Sequence, residues 1–241
     1  MKSVPSNWEL RNYMRYGLIA AIALSLFAGA AEARPLPTPY KSEAVNFAYN
    51  LLFCDTPALF LQNKSLASTT PLYRVLHAKP ADAANVRKIA NDAHVESCTR
   101  MLAYDWLRAH KLAVPPKVLL GVVAELGSSG GPDTVAVYTD GSIRFISAEE
   151  KLASFGPDTP KINAKAQELL SKGRALLPRL DPWKEPRVPA VPFGIFRITF
   201  LASDGLHFGD GEARSMAHDK FGGETVRTAI ALMRLTHDAD K

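Results

Sequence analysis

Seventeen residues near the C-terminus, SDGLHFGDGEARSMAHD (Ser203 to Asp219), hold four acids, two histidines and three glycines. If Asp204, His207, Asp210 and Glu212 converged, with His218 or Asp219 beside them, they would offer a divalent cation its usual donors. Carboxylates alone suit calcium or magnesium, and added imidazoles shift the preference to zinc or manganese. Such a centre would make the chain a metal-assisted hydrolase. The spacing, however, fits neither an EF-hand loop nor HExxH. Asp204-Gly205 and Asp210-Gly211 are turn signals in their own right. Strand alternation also puts His207 on the face opposite Leu206 and Phe208, where solvent would suffice as its partner. The reading adopted is a hairpin followed by a loop, with metal binding as the alternative.

Other patterns resolve similarly. GSSGG (Gly127 to Gly131) satisfies G-x-S-x-G with Ser129 at its centre. A nucleophile elbow needs a helix next, because the first helical N–H groups help build the oxyanion hole. Pro132-Asp133 and a strand-like run follow instead. Cys54 borders a helical apolar stripe of Ala44, Phe47, Ala48, Leu51 and Leu52, and Cys98 begins another with Met101, Leu102 and Trp106. Packing those stripes together predicts a Cys54–Cys98 disulfide rather than a thiol nucleophile served by His77, His94 or His110. Tyr49, Tyr104 and Trp106 lie on or near helical apolar faces, where core packing accounts for them. Trp183, in LDPWKEP, either folds back to pin its segment or stands out as a contact for a partner. None of these patterns calls for a cofactor.

The elements that position these residues fall into two regions. Helical periodicity governs residues 41–112: one helix capped by Ser42, a second capped by Asp82, and a third from about Val95 to His110. Residues 56–79 are less regular. From Val118 the pattern becomes β-like: VLLGVVAEL, DTVAVYT and SIRFIS make three strands, the last two joined at Asp140-Gly141. Pro160 opens a helix that Pro178 stops. Five prolines between Pro178 and Pro192 forbid a regular helix or a central strand, so that segment runs over the surface. FRITFLASDGLHFG forms a second hairpin turning on Asp204-Gly205, and a helix from about Gly223 to Thr236 ends the chain. The expected fold is α+β: an N-terminal helical layer, then a βββ-α-ββ-α unit over residues 113–241 with one antiparallel sheet covered by helices.

Compartment is read from the N-terminus. Lys2, Arg11 and Arg15 precede an apolar run from Tyr16 to Phe27, and Ala31-Glu32-Ala33 fits the pattern a signal peptidase accepts. Residues 1–33 are therefore expected to be a signal peptide and residues 34–40, RPLPTP and Tyr40, a proline-rich spacer. Contact with a membrane follows only if the segment is not cleaved. Removing three basic and two acidic residues lowers the formal net charge from +5 to +4. The remaining charges are mixed, without the clustered basic face that nucleic acid demands. The sequence thus predicts a periplasmic or secreted, non-enzymatic protein that binds another protein or an envelope component.

Overall fold

The computed structural model describes residues 35–239 except 64, 186, 188 and 189; the expected signal segment lies outside the described residues. The Ser42 hydroxyl accepts the Val45 N–H and starts α1 (Glu43–Leu51). The irregular stretch holds two short helices, α2 (Pro57–Phe60) and α3 (Pro71–Leu76), each opening on a proline. A proline loses nothing there, since a first-turn N–H has no helical partner anyway. Asp82 stands at the N-cap of α4 (Ala83–Asn91), but its carboxylate accepts the Lys79 N–H at 2.9 Å. It closes the preceding 3-10 turn (Pro80–Asp82) instead of capping α4 as expected. The third long helix of this region is α5 (Ser97–Ala109).

Six strands follow: β1 (Leu119–Ser128), β2 (Gly131–Tyr138), β3 (Ile143–Ile146), β4 (Leu152–Phe155), β5 (Ile195–Ala202) and β6 (Gly205–Glu212). They form one sheet in the order β4-β3-β2-β1-β5-β6, antiparallel throughout. Helix α6 (Pro160–Leu176) joins β4 to β5, and a short α7 (Ala213–Ala217) and a long α8 (Gly223–Ala239) follow β6. The fold is α+β as the patterning predicts, with one strand more than expected. β4 is only four residues long and half-exposed at the sheet edge, so it carries almost no alternation. Glu150, at φ +67°, turns the chain into it.

The sheet is buried on both faces, which explains why VLLGVVAEL is apolar without interruption until Glu125. In β1, Val122 and Ala124 face a core shared with Leu169, Leu170 and Leu232 of α6 and α8. Val123 faces the opposite core, with Met101, Leu102 and Leu107 of α5 and with Tyr49 and Phe53. The N-terminal helices thus form the third layer of the same body. The Tyr138 hydroxyl ties them to the sheet through Leu52 O at 2.7 Å, and Arg108 Nη1 does so through Ser203 O at 2.5 Å.

Both Asp-Gly hairpins are present, but only their glycines take positive φ, Gly141 at +87° and Gly205 at +128°. In the second hairpin Ala202 pairs with Gly205, so Ser203 and Asp204 are the central residues of the turn. Asp140 contributes through its carboxylate, which accepts the N–H groups of Ser142 (2.9 Å) and Ser97 (2.7 Å). Cys54, at φ +52° just beyond α1, forms a disulfide with Cys98 in the first turn of α5; their Cα atoms lie 5.3 Å apart. The bridge pins the end of α1 to α5 beside Phe53.

Candidate functional site

A row of polar side chains crosses the sheet on the face toward the N-terminal helices. Register places Thr134 opposite Glu125, Glu125 opposite Arg197, and Arg197 opposite Asp210. Residues paired across strands share a face, so the four form one line through β2, β1, β5 and β6. Glu125 is 0% exposed. Its Oε1 accepts the Tyr49 hydroxyl from α1 at 2.7 Å. Arg197 binds Asp210 Oδ2 at the rim, Nη2 at 3.0 Å and Nε at 3.3 Å. At the other end Tyr40 donates to Pro132 O at 2.8 Å and lies 3.0 Å from the Thr134 hydroxyl. Pro37 O accepts Asn50 Nδ2 at 2.9 Å. The expected spacer is therefore docked against α1 and the sheet along residues 37–40.

Burial dominates the electrostatics of Glu125 and of the two tyrosines beside the row. It raises the Glu125 carboxyl above the ordinary range, against the opposing pull of the Tyr49 hydrogen bond and of Arg197 and Arg187. Burial, then the negative charge of Glu125, pushes the Tyr49 hydroxyl well up, so it stays a donor. Tyr40 is raised mainly by its own burial.

The described residues of the proline-rich segment close over this face as a strap. After α6 ends in a 3-10 turn (Leu177–Arg179), Lys117 Nζ holds Pro178 O at 2.9 Å and Leu180 O at 2.8 Å. The Trp183 N–H donates to Leu206 O at 2.7 Å, so the strap rounds the sheet at β6 and covers part of an edge that would otherwise be open. The Trp183 ring meets Phe208 edge to face, centroids 4.6 Å apart, and the residue stays 40% exposed. On the far side Arg187 reaches α1: Nε binds Asp55 Oδ2 at 2.7 Å, Nη2 binds Asn50 Oδ1 at 2.8 Å, and its guanidinium lies 4.2 Å from the Phe53 ring centroid. The strap then crosses β1 so closely that a Cβ on Gly127 would fall 1.9 Å from Pro192 O. GSSGG is glycine-rich partly for that reason. Its remaining residues make a tight turn, Ser128 pairing with Gly131, that leads into β2 where an elbow would need a helix.

The acidic stretch from Ser203 to Asp219 is divided among separate partners. His207 does lie opposite Leu206 and Phe208, but it is 0% exposed rather than solvated. Its Nε2 lies 3.0 Å from Asp204 Oδ1 and its Nδ1 3.2 Å from Leu180 O. The strap and the end of α6 cover that face, which sequence alternation could not reveal. Asp210, three residues further on, points to the other face and binds Arg197. Glu212 accepts the Ser215 hydroxyl at 2.7 Å, and Asp219 accepts the Phe221 and Gly222 N–H groups. His218 Nδ1 sits 2.8 Å from Arg214 O. Among the described residues no three histidine, cysteine, aspartate or glutamate side chains stand together where they could hold an ion. Ser203, beside this pair, donates to Pro115 O and accepts the Val118 N–H, which occupies its hydroxyl.

Beneath the strap lies a small, partly open cavity of about 20 Å³ lined by Glu125, Arg187, Arg197, Trp183 and Phe208, among others. That is room for a water-sized group. The sequence reading missed Glu125, Arg197 and Arg187, and it took Tyr49 as packing alone. A signal existed: Glu125 and Arg197 are lone charges inside otherwise apolar strands, VVAEL and FRITF. Comparison with protein-family models, with curated proteins and with solved structures finds no match for this chain.

Proposed function

We propose that this chain is an exported, non-enzymatic binding protein whose recognition surface is the strap around Trp183, taking an envelope component as its partner. The carrying observation is the state of Trp183: its backbone is fixed to β6 and its ring braced on Phe208, yet 40% of the residue stays open. An aromatic held in place before binding loses little rotamer freedom on contact, which is the usual character of a binding hot spot. The Cys54–Cys98 bridge is consistent with an oxidising compartment. So is the signal-like N-terminus. No described helix is long and apolar enough to cross a membrane.

The test uses tagged mature protein to capture material from its own envelope fraction. N-terminal sequencing of the exported chain should begin at Arg34; an intact Met1 would mean a tethered protein. Trp183→Ala should reduce specific capture at least tenfold, a loss of about 1.4 kcal/mol or more, with the disulfide and near-ultraviolet circular dichroism otherwise retained. Equal capture by the variant would remove the strap from the recognition surface.

A further inference from the structure

The outer edge of β6 carries backbone groups that no neighbour takes. The Trp183 N–H donates to Leu206 O, so the backbone of Leu206 faces away from β5. In an antiparallel pair alternate residues turn both their N–H and their C=O the same way. β6 pairs with β5 from Gly205 to Glu212 without a bulge, so Phe208 and Asp210 face outward too. Among the described residues nothing pairs with their N–H and C=O groups. The strap thus begins a seventh strand at Leu206 and leaves the edge as it crosses toward Arg187 and α1. β6 also lacks the usual protection of an edge. It is eight residues long, and GLHFGDGE holds neither lysine nor proline. At the opposite edge β4 is four residues long and follows Lys151.

The side chains along that edge select what can add to it. On the strap face Phe208, braced by Trp183, is followed by Asp210 and then by the exposed Glu212. The Asp210 side chain stays 41% exposed despite its contact with Arg197. On the other face Gly209 leaves a bare place, where a Cβ would meet nothing within 4 Å. A second copy of β6 would set Asp210 and Glu212 among their own counterparts, and like charges across strands are unfavourable. We infer that β6 is a strand-addition edge whose occupant is an extended segment of a partner protein. That segment places an apolar side chain beside Phe208, a large one over Gly209 and a basic one beside Asp210. Backbone hydrogen bonds hold it, and the alternation of its side chains selects it. Aromatic side chains in particular cover an edge glycine in this way. The inference rests on the proposed recognition surface around Trp183 and names polypeptide as the class of what is recognised.

Nitrogen-15-labelled mature protein, with its disulfide intact, is titrated with two capped hexapeptides. Acetyl-Lys-Thr-Lys-Tyr-Val-Thr-amide suits an antiparallel seventh strand, and acetyl-Thr-Val-Tyr-Lys-Thr-Lys-amide a parallel one. One of them should slow hydrogen exchange of the Phe208 and Asp210 amides at least tenfold, saturably, at concentrations up to about 1 mM. Replacing its lysines with glutamate should weaken binding about tenfold. Asp210→Ala and Asp210→Pro both lose the carboxylate but differ in the outward N–H, which an edge strand can give up without losing its own ladder. Affinity should therefore be at least tenfold lower in Asp210→Pro than in Asp210→Ala. No protection by either peptide would overturn the inference, as would equal affinity in the two variants. Protection without peptide that rises with protein concentration, alongside a dimer in sedimentation, would overturn it too and assign the edge to a second copy. Envelope capture separates this inference from the reading beneath it. Capture lost in Trp183→Ala but kept in Asp210→Pro would leave the recognition surface standing and remove strand addition from it; the reverse would keep strand addition and remove the indole.

Discussion

Replacing Cys54 and Cys98 together with serine is expected to lower the free energy of unfolding by about 3–4 kcal/mol, the chain-entropy value for a loop of this size. The two cysteines are 44 positions apart, and the loop they close contains α2, α3 and α4. These are short helices, α2 and α3 of four and six residues, and helices that short have little stability of their own. The bridge therefore acts where local structure contributes least. A domain of this size should melt roughly 10 °C lower without it. Urea denaturation of the oxidised protein against the double-serine variant is the measurement. A difference below about 1 kcal/mol would mean that packing on α5 already restricts the loop in the unfolded ensemble, contrary to the entropic account.

The consequence reaches the sheet face through Phe53. That ring lies next to Cys54, carries the Arg187 guanidinium and packs edge to face on Tyr49, with centroids 5.3 Å apart. Loosening the end of α1 would thus disturb the Tyr49 hydroxyl and the strap together. Stability and recognition share one set of contacts here: the disulfide holds α1, α1 presents Tyr49 and Asn50, and these engage Glu125 and Arg187.

Much of the fold was legible because periodicity and turn chemistry are local. Ser42, Pro160 and the two Asp-Gly pairs each mark a boundary through their own backbone preferences; the expected disulfide is present too, although Cys54 lies beyond α1, whose buried face is Val45, Asn46, Tyr49 and Asn50 and not the expected apolar stripe. The site was not legible in the same way. Glu125 reads as one charge in an apolar strand, and Arg197 as another; only sheet register makes them neighbours across β1 and β5. Arg187 lies in a proline-rich stretch that local rules assign to the surface, and nothing local says that it folds across β6 onto α1. His207 misled for a related reason. Alternation gave its face correctly, but whether that face meets water depends on Leu180, 27 residues away in the chain.

Glu125 should also give the protein a characteristic pH dependence, with a sign opposite to that of a salt-bridged surface carboxylate. Burial raises its folded-state pKa, so the native state holds this proton in a pH window where the unfolded chain has released it. Glu125 then contributes most to stability below the ordinary carboxylate range, and that contribution is lost as pH rises through its raised pKa. Within the window the slope approaches about 1.4 kcal/mol per pH unit for one proton. Glu125→Gln cannot ionise, so its stability should rise relative to the wild type as pH is raised from the acid side to neutrality. Parallel denaturation curves across that range would check the sign; a constant difference between the two proteins would mean that Glu125 titrates alike folded and unfolded. Removing the acceptor altogether acts differently. Glu125→Leu leaves the Tyr49 hydroxyl buried without its partner and should be about 2 kcal/mol less stable, whereas pairing it with Tyr49→Phe removes both polar groups and should recover most of that loss. The cycle isolates the hydrogen bond that joins the helical layer to the sheet. Simple additivity would show that Tyr49 and Glu125 are stabilised by their separate surroundings and that the two layers are joined by apolar packing.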